Sequence, residues 1–228
     1  MKFYLLLLPM ILSVSLYGQA EKGNVQFELV FGGQPVEIGK NYYLPSARDS
    51  IRLETIRFYI SHIQFFDDDR LMGSLKKSHI LLDTENPESL HFSMPEGVSG
   101  NFNRIRFLLG TDSLANVSGA MGGDLDPIQG MYWAWQSGYI NIKIEGVSSV
   151  CPARNHLFQF HIGGYQPPFA SSQIVDLPVS ASQQIVIRAD LEAFFSQVNL
   201  SETYQIMSPG GQAVKYAKLF GSVFSVTQ

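Results

Sequence analysis

Five histidines, His62, His79, His91, His156 and His161, are the side chains of this sequence best suited to chemistry. Imidazole changes charge nearest neutral pH, and its unprotonated nitrogen is a common ligand for copper and zinc. A metal site needs two or three such groups brought together by the fold. In "LFQFHIGGYQPP", strand periodicity puts Phe158, Phe160 and Ile162 on one face and Gln159 and His161 on the other, which makes His161 the stronger candidate ligand. His156 is five positions away, on the opposite face of the same strand, and is a poor partner. His62 continues the apolar parity of Ile56, Phe58 and Ile60, so it is expected at the rim of the core as a weaker candidate. Met94, Met121, Met131 and Met207 carry thioethers suited to Cu(I), although methionine more often fills cores. Met131, with Met121 near it, is the reserve ligand.

The two tryptophans stand two residues apart in "GMYWAWQSGYINIKIEG". Trp133, Trp135, Ser137, Tyr139 and Asn141 share one parity, and Ile140, Ile142 and Ile144 share the other. An aromatic ladder packed on the end of a β-fold fits this pattern. So does a stacking platform for sugars, because a tryptophan buries a large ring and still offers its N–H. The acidic residues are less informative. Asp67 to Asp69 read as a solvated turn after a strand, and Asp124 and Asp126 in "GGDLDP" as turn initiators. A hydrolase built on Asp124, Asp126 and His161 has no motif behind it. The sequence has no GxSxG, HExxH, paired CxxC, P-loop or EF-hand loop.

The elements that must position these residues are mostly strands. Period-two patterns rich in Ile, Val, Phe and Tyr occur at "NVQFELVF", "ETIRFYISHIQFF", "HILLD", "NRIRFLLG", "YINIKIEG", "LFQFHIGG", around "IVDLPV" and at "QQIVIRAD". The expected fold is all-β, an antiparallel sandwich of about eight strands. One or two short helices are expected, at "DLEAFFS" and at "GGQAVKYAKLF", where Ala213, Tyr216, Ala217 and Phe220 would face the core. The loops from Pro87 to Gly100 and from Thr111 to Gly130 are the longest irregular segments, and such loops tend to carry function.

With 228 residues and 45% hydrophobic content, the chain can bury a full core. Only 16% of residues are charged, the net charge is −4 and no Lys/Arg cluster appears, so a nucleic-acid-binding surface is excluded. Lys2 followed by an apolar run from Phe3 to Leu16 reads as a signal peptide over residues 1–20, with cleavage before Glu21 and one domain over 21–228. No later run is long enough to span a bilayer as a helix, so the mature chain is expected to be exported, to the periplasm or the cell surface. Cys151 is the single cysteine, which excludes an intramolecular disulfide.

"DLDPIQGMYWAWQSGYINIKIEG" resembles the signature of the MbnP-like family of exported bacterial proteins. "ETIRFYISHIQFF", "FNRIRFLLGTDSLAN", "FQFHIGGY" and "IVIRADLEAFF" resemble its other strands, so the likeness runs from about Gly23 to near the C-terminus. The resemblance implies an all-β protein that binds or acquires copper without catalytic turnover of its own, paired with a dihaem cytochrome c peroxidase-like partner. It further implies that a tryptophan, Trp133 or Trp135, is oxidised to kynurenine and joins histidines, here His161 and His62, at the copper site. Two departures stand out. Asn116 is followed by Val117 where many relatives have histidine, and the cysteines of some branches are missing. The alternative function is a surface module for glycans or an envelope protein, with Trp133, Trp135, Tyr132 and Tyr139 as its platform.

Overall fold

The computed structural model describes residues 23–98, 102–136, 138–180 and 182–227. The signal segment and Ser137 lie outside the described residues. Nine strands form the frame: β1 (Asn24–Phe31), β2 (Asp49–Asp67), β3 (His79–Asp83), β4 (Arg104–Leu109), β5 (Gly138–Ser148), β6 (Leu157–Gly163), β7 (Gln173–Pro178), β8 (Gln184–Asp190) and β9 (Phe224–Thr227). Three helices accompany them, α1 (Ser113–Ser118), α2 (Leu191–Phe195) and α3 (Gly211–Gly221).

Each of the eight strands expected from periodicity is present, but the described residues contain fifteen in all. The additional ones are mostly pieces of two to five residues, such as Tyr132–Trp133 and Gln205–Ile206, which exist because a neighbouring strand offers an edge. The pairing is also not purely antiparallel. β1 runs parallel to β8 from Asn24↔Gln184 to Val30↔Asp190, and Gln159–Phe160 runs parallel to Gln205–Ile206. Both parallel contacts join segments far apart in sequence, where hairpin signals say nothing. The result is two mixed sheets, mostly β, of five and ten strands.

Alternation fixes which side chains meet between the sheets. Phe27 of β1 contacts Phe58 of β2 and Phe107 of β4 at ring separations of 6.5 and 5.6 Å, tying one sheet to the other. Helix α3 closes this core with Ala213, Tyr216, Ala217 and Phe220, the four residues its period selects. Burying one phenylalanine of this kind is worth about 1.5–3 kcal/mol, so the cluster dominates the stability of the frame.

The far face of the larger sheet is covered differently. Residues 111–136 fold back over it, and Tyr59, Leu81, Ala115, Leu125, Met131, Trp133, Tyr139 and Ile140 form a second, smaller core there. Four buried polar residues anchor this cover. Asn141 Oδ1 accepts from the Thr111 amide at 2.9 Å and Asn141 Nδ2 donates to Ser171 Oγ at 2.9 Å. Asn116 Nδ2 donates to Thr111 Oγ1 at 2.9 Å, and Asn116 Oδ1 accepts from the Tyr139 amide at 2.8 Å. Each bond contributes only about 1 kcal/mol net, but losing one partner strands a buried polar group at a larger cost.

Strand β2 is the spine of the larger sheet. β5 pairs with its first half and β4 with its second, while β3 lies along the opposite edge from Arg57 to Ser61. The register against β4 shifts between Ser61 and Gln64. An extra residue in a strand switches which side chains face inward from that point. The bulge therefore sends Ile63 into the core at 1% exposure and turns His62 outward, with φ at +52°. His62 is thus not at the core rim, as simple parity suggests, but on the covered outer face of the sheet.

Candidate metal centre

The bulge brings together two histidines that are seventeen positions apart. β3 pairs His79 with Ser61, the residue before the bulge, and the His62 amide donates to Ser78 O at 2.9 Å. The two imidazole rings lie 5.4 Å apart at 67° to each other. Asp112 completes the group from the covering loop. It is the N-cap of α1, where its Oδ1 accepts from the Ala115 amide at 2.7 Å. That leaves Oδ2 facing the histidines, 2.5 Å from His62 Nε2 and 3.5 Å from His79 Nε2. One ligand atom from each of His62, His79 and Asp112 lies within 4.8 Å of the other two.

The electrostatics suit a ligand set. Burial lowers the His79 pKa, an effect that the Asp112 charge opposes and neighbouring His62 reinforces, so this imidazole stays neutral at pH 7. Burial pushes the Asp112 carboxyl up, but the Ala115 amide and the two histidines outweigh it, and the net pKa is lowered. His79 Nε2 is buried without a hydrogen-bond partner. An orphaned ring nitrogen aimed at a carboxylate and a second imidazole is what a metal ion would satisfy. His79 Nδ1 lies 2.9 Å from Ser78 Oγ, a contact that fixes the ring and frees Nε2 for coordination.

These residues line a cavity of about 570 Å³ whose rim also carries Lys76, Lys77 and Met121. Lys77 is held by Asp124 at 2.7 Å, and the other oxygen of Asp124 accepts from the Leu81 amide at 2.8 Å. Asp124 thus pins the covering loop to β3. Two imidazoles and a carboxylate form a nitrogen–oxygen site with open positions. Among first-row divalent ions, such a site has its highest affinity for Cu(II).

The remaining sequence candidates lie elsewhere. His161 is buried on the outer face of β6, with Nε2 2.6 Å from Glu145 Oε1. It pairs across the sheet with Lys143, which pairs with Arg57, and Arg57 is four residues before Ser61, the partner of His79. Four residues span about 13 Å along a strand. Ligand atoms of one ion sit roughly 4–5 Å apart when each bond is near 2 Å, so His161 and His62 are not brought together. Met131 is fully buried in the outer core, and Met121 is the methionine that borders the cavity. Val117 is 71% exposed and does not line that cavity.

The two tryptophans part ways on a short hairpin in which Trp133 pairs with Gly138. Trp133 is buried, with its ring against Gly163, where an added Cβ would meet the ring at 2.6 Å. Trp135 stands at the tip, 66% exposed, with its ring 5.7 Å from that of Trp133. Tyr139 is buried and Tyr132 packs against the outer core, so the four aromatics do not form one exposed platform. Asp67 ends β2 and Asp68 and Asp69 form the turn that follows it, and Asp126 caps a 3-10 turn, both as expected.

Sequence reasoning missed His79 and Asp112. The available signals were a polar histidine opening an apolar strand, "HILLD", and an Asp–Ser pair that begins a helix. Neither shows which residues of β2 they would face.

The family model for MbnP matches residues 20–208, most of the chain. Among solved structures, MbnP from Methylosinus trichosporium shares the fold, with a TM-score of 0.59 at 17% identity, covering 90% of this chain and 97% of that one. No curated protein matches the chain. Among the described residues, no helix is long and apolar enough to cross a membrane.

Proposed function

The chain belongs to the MbnP family, and on that premise we propose that it is an exported copper-binding protein that holds copper as cargo at His62, His79 and Asp112. One observation carries the reading: two histidines and a carboxylate converge within 4.8 Å on a cavity open to solvent. Cu(II) fits this donor set. Met121 at the rim offers a thioether should the ion be reduced to Cu(I), which prefers soft sulfur. The absence of histidine at position 117 is offset by His79, which supplies a second imidazole from β3. The chain performs no turnover of its own; residues 1–20 are removed on export to the periplasm or cell surface.

The same reading includes a dihaem peroxidase-like partner that oxidises a tryptophan to kynurenine. Trp135 is the tryptophan such a partner reaches first, because it is exposed at the hairpin tip. Mass spectrometry of the tryptic peptide Phe107–Lys143, taken from protein purified from its native host, tests this part. Kynurenine at Trp135 supports it, and two intact indoles refute it.

The copper reading itself is tested by titrating the recombinant protein with Cu(II) under competition from a chelator. Wild type should bind one equivalent, His79→Ala and His62→Ala should each lose binding, and His161→Ala should retain it.

A further inference from the structure

A second cavity, of about 390 Å³, opens beside the tryptophan hairpin. It is lined by Trp133, Tyr165 and Phe169 and by the prolines Pro167, Pro168 and Pro209. Its polar side chains include Gln136 and Gln166, both exposed, and among the described residues no charged one lines it. It shares no lining residue with the metal cavity.

The cavity is built rigidly. Gly164 forms part of the floor with φ at +118°, and a Cβ there would meet Pro209 Cβ at 2.9 Å. The Ser171 amide donates to Gly164 O at 3.0 Å, while Ser171 Oγ accepts from the buried Asn141 side chain. Three prolines add walls with few internal degrees of freedom. A preformed pocket loses little entropy on binding, and its volume is in the range of small-ligand sites.

We propose that this cavity is a binding site for a neutral saccharide. The uncharged lining gives an ionised ligand nothing to pair with, and burying an unpaired charge is costly. A pyranose ring has an apolar C–H face and a rim of hydroxyls. The C–H face matches an aromatic ring such as that of Phe169, which is exposed, or Tyr165, which is half-buried, whereas Trp133 is buried. The hydroxyls match Gln136 and Gln166, whose amides each offer two donors and an acceptor. A proline-rich peptide fits less well. Such peptides lay their prolines into an extended aromatic groove, whereas here the prolines already belong to the receptor walls and the cavity is compact. The site differs from a platform of four aromatics, since Tyr132 and Tyr139 take no part and Trp135 does not line it.

Calorimetric titration of the recombinant protein with maltohexaose, cellohexaose and chitohexaose at millimolar concentrations tests the proposal, with a proline decapeptide as the competing probe. Saturable binding of at least one saccharide is expected. Phe169→Ala should weaken it about tenfold or more, and Gln136→Ala and Gln166→Ala about threefold to tenfold, the size of one lost stacking or hydrogen-bonding contact. A circular dichroism spectrum unchanged from wild type confirms that each variant folds. His79→Ala should leave saccharide affinity unchanged, so failure here and failure of the copper reading are distinguishable. Binding of the peptide alone, binding of none of the three saccharides, or saccharide binding that survives Phe169→Ala and Gln166→Ala would overturn the proposal.

Discussion

Two histidine–carboxylate constellations lie on the same outer face of the larger sheet, and they are built for different ends. At the bulge, His62 and His79 face one oxygen of Asp112 on a solvent-connected cavity, and His79 Nε2 makes no hydrogen bond, only a 3.5 Å contact with that oxygen. On β5 and β6, His161 donates its interaction to Glu145, beside Lys143 and the Arg57–Asp83 ion pair at 2.9 Å. His161 and Lys143 meet Glu145 and Arg57 meets Asp83, so each charge in that second row faces an opposite one. A lone histidine in a satisfied charge row stabilises the sheet locally, whereas converging histidines with an open side leave coordination capacity for an ion. Convergence and incompleteness, more than the presence of histidine, mark the metal centre.

The comparison breaks most sharply under substitution of the ligands. His79→Ala should lower Cu(II) affinity by roughly 100-fold or more, above the 10–100-fold typical of losing a group one step removed from the metal. His161→Ala should change it less than about threefold, since it acts only on folding, and chelator competition reads both. A result with the two effects reversed would move the centre to β6. Asp112 sharpens the contrast further because it has two tasks. Asp112→Asn keeps the helix cap and should weaken copper binding while leaving thermal stability close to wild type. Asp112→Ala should lose a further ~1 kcal/mol of stability with the cap, measurable by urea denaturation.

Acidification separates His79 from Glu145 by pH. The folded pKa of His79 is lowered, so its contribution to the stability of the metal-free protein is complete above the ordinary imidazole value of about 6.5 and is lost as pH falls through the folded value. Glu145 is lowered chiefly by its hydrogen bond with His161, so its contribution is complete above the ordinary carboxylate range and is lost only at lower pH. Thermal melts from pH 8 to pH 3 should show two declines. His79→Gln should remove the one nearer neutrality, and Glu145→Gln should shrink the acidic one, to which Asp112 also contributes. The smallest effect on copper binding is expected at the hairpin. Gly163→Ala forces a Cβ against Trp133 and Tyr139 O, both at 2.6 Å, and should cost about 1–3 kcal/mol with a red shift in tryptophan emission, leaving copper affinity nearly unchanged.

Much of the frame was legible in the sequence, because alternation is a local property. The eight main strands, the buried face of α3 and the turn at Asp68–Asp69 all follow from spacing within a few residues. The parallel pairing of β1 with β8 was not legible, since it joins segments 160 positions apart, as the Glu28–Arg188 contact illustrates. The metal centre failed for a sharper reason. Parity placed His62 correctly only up to Ser61; the bulge then inverted the pattern, and no residue type announces it. Asp112 was hidden as an ordinary helix start inside a segment read as irregular, although loop 111–130 was singled out as a place where function concentrates. His161 drew attention because its strand alternates cleanly, which is a sign of good sheet packing and says nothing about a second ligand nearby.

Anomalous diffraction at the copper edge, from crystals grown with one equivalent of Cu(II), locates the ion. A centre at the bulge gives a single strong peak about 2 Å from ring nitrogens of both His62 and His79, with Asp112 on the same ion. A peak beside His161 and Glu145, or no ordered copper at the bulge, would contradict it.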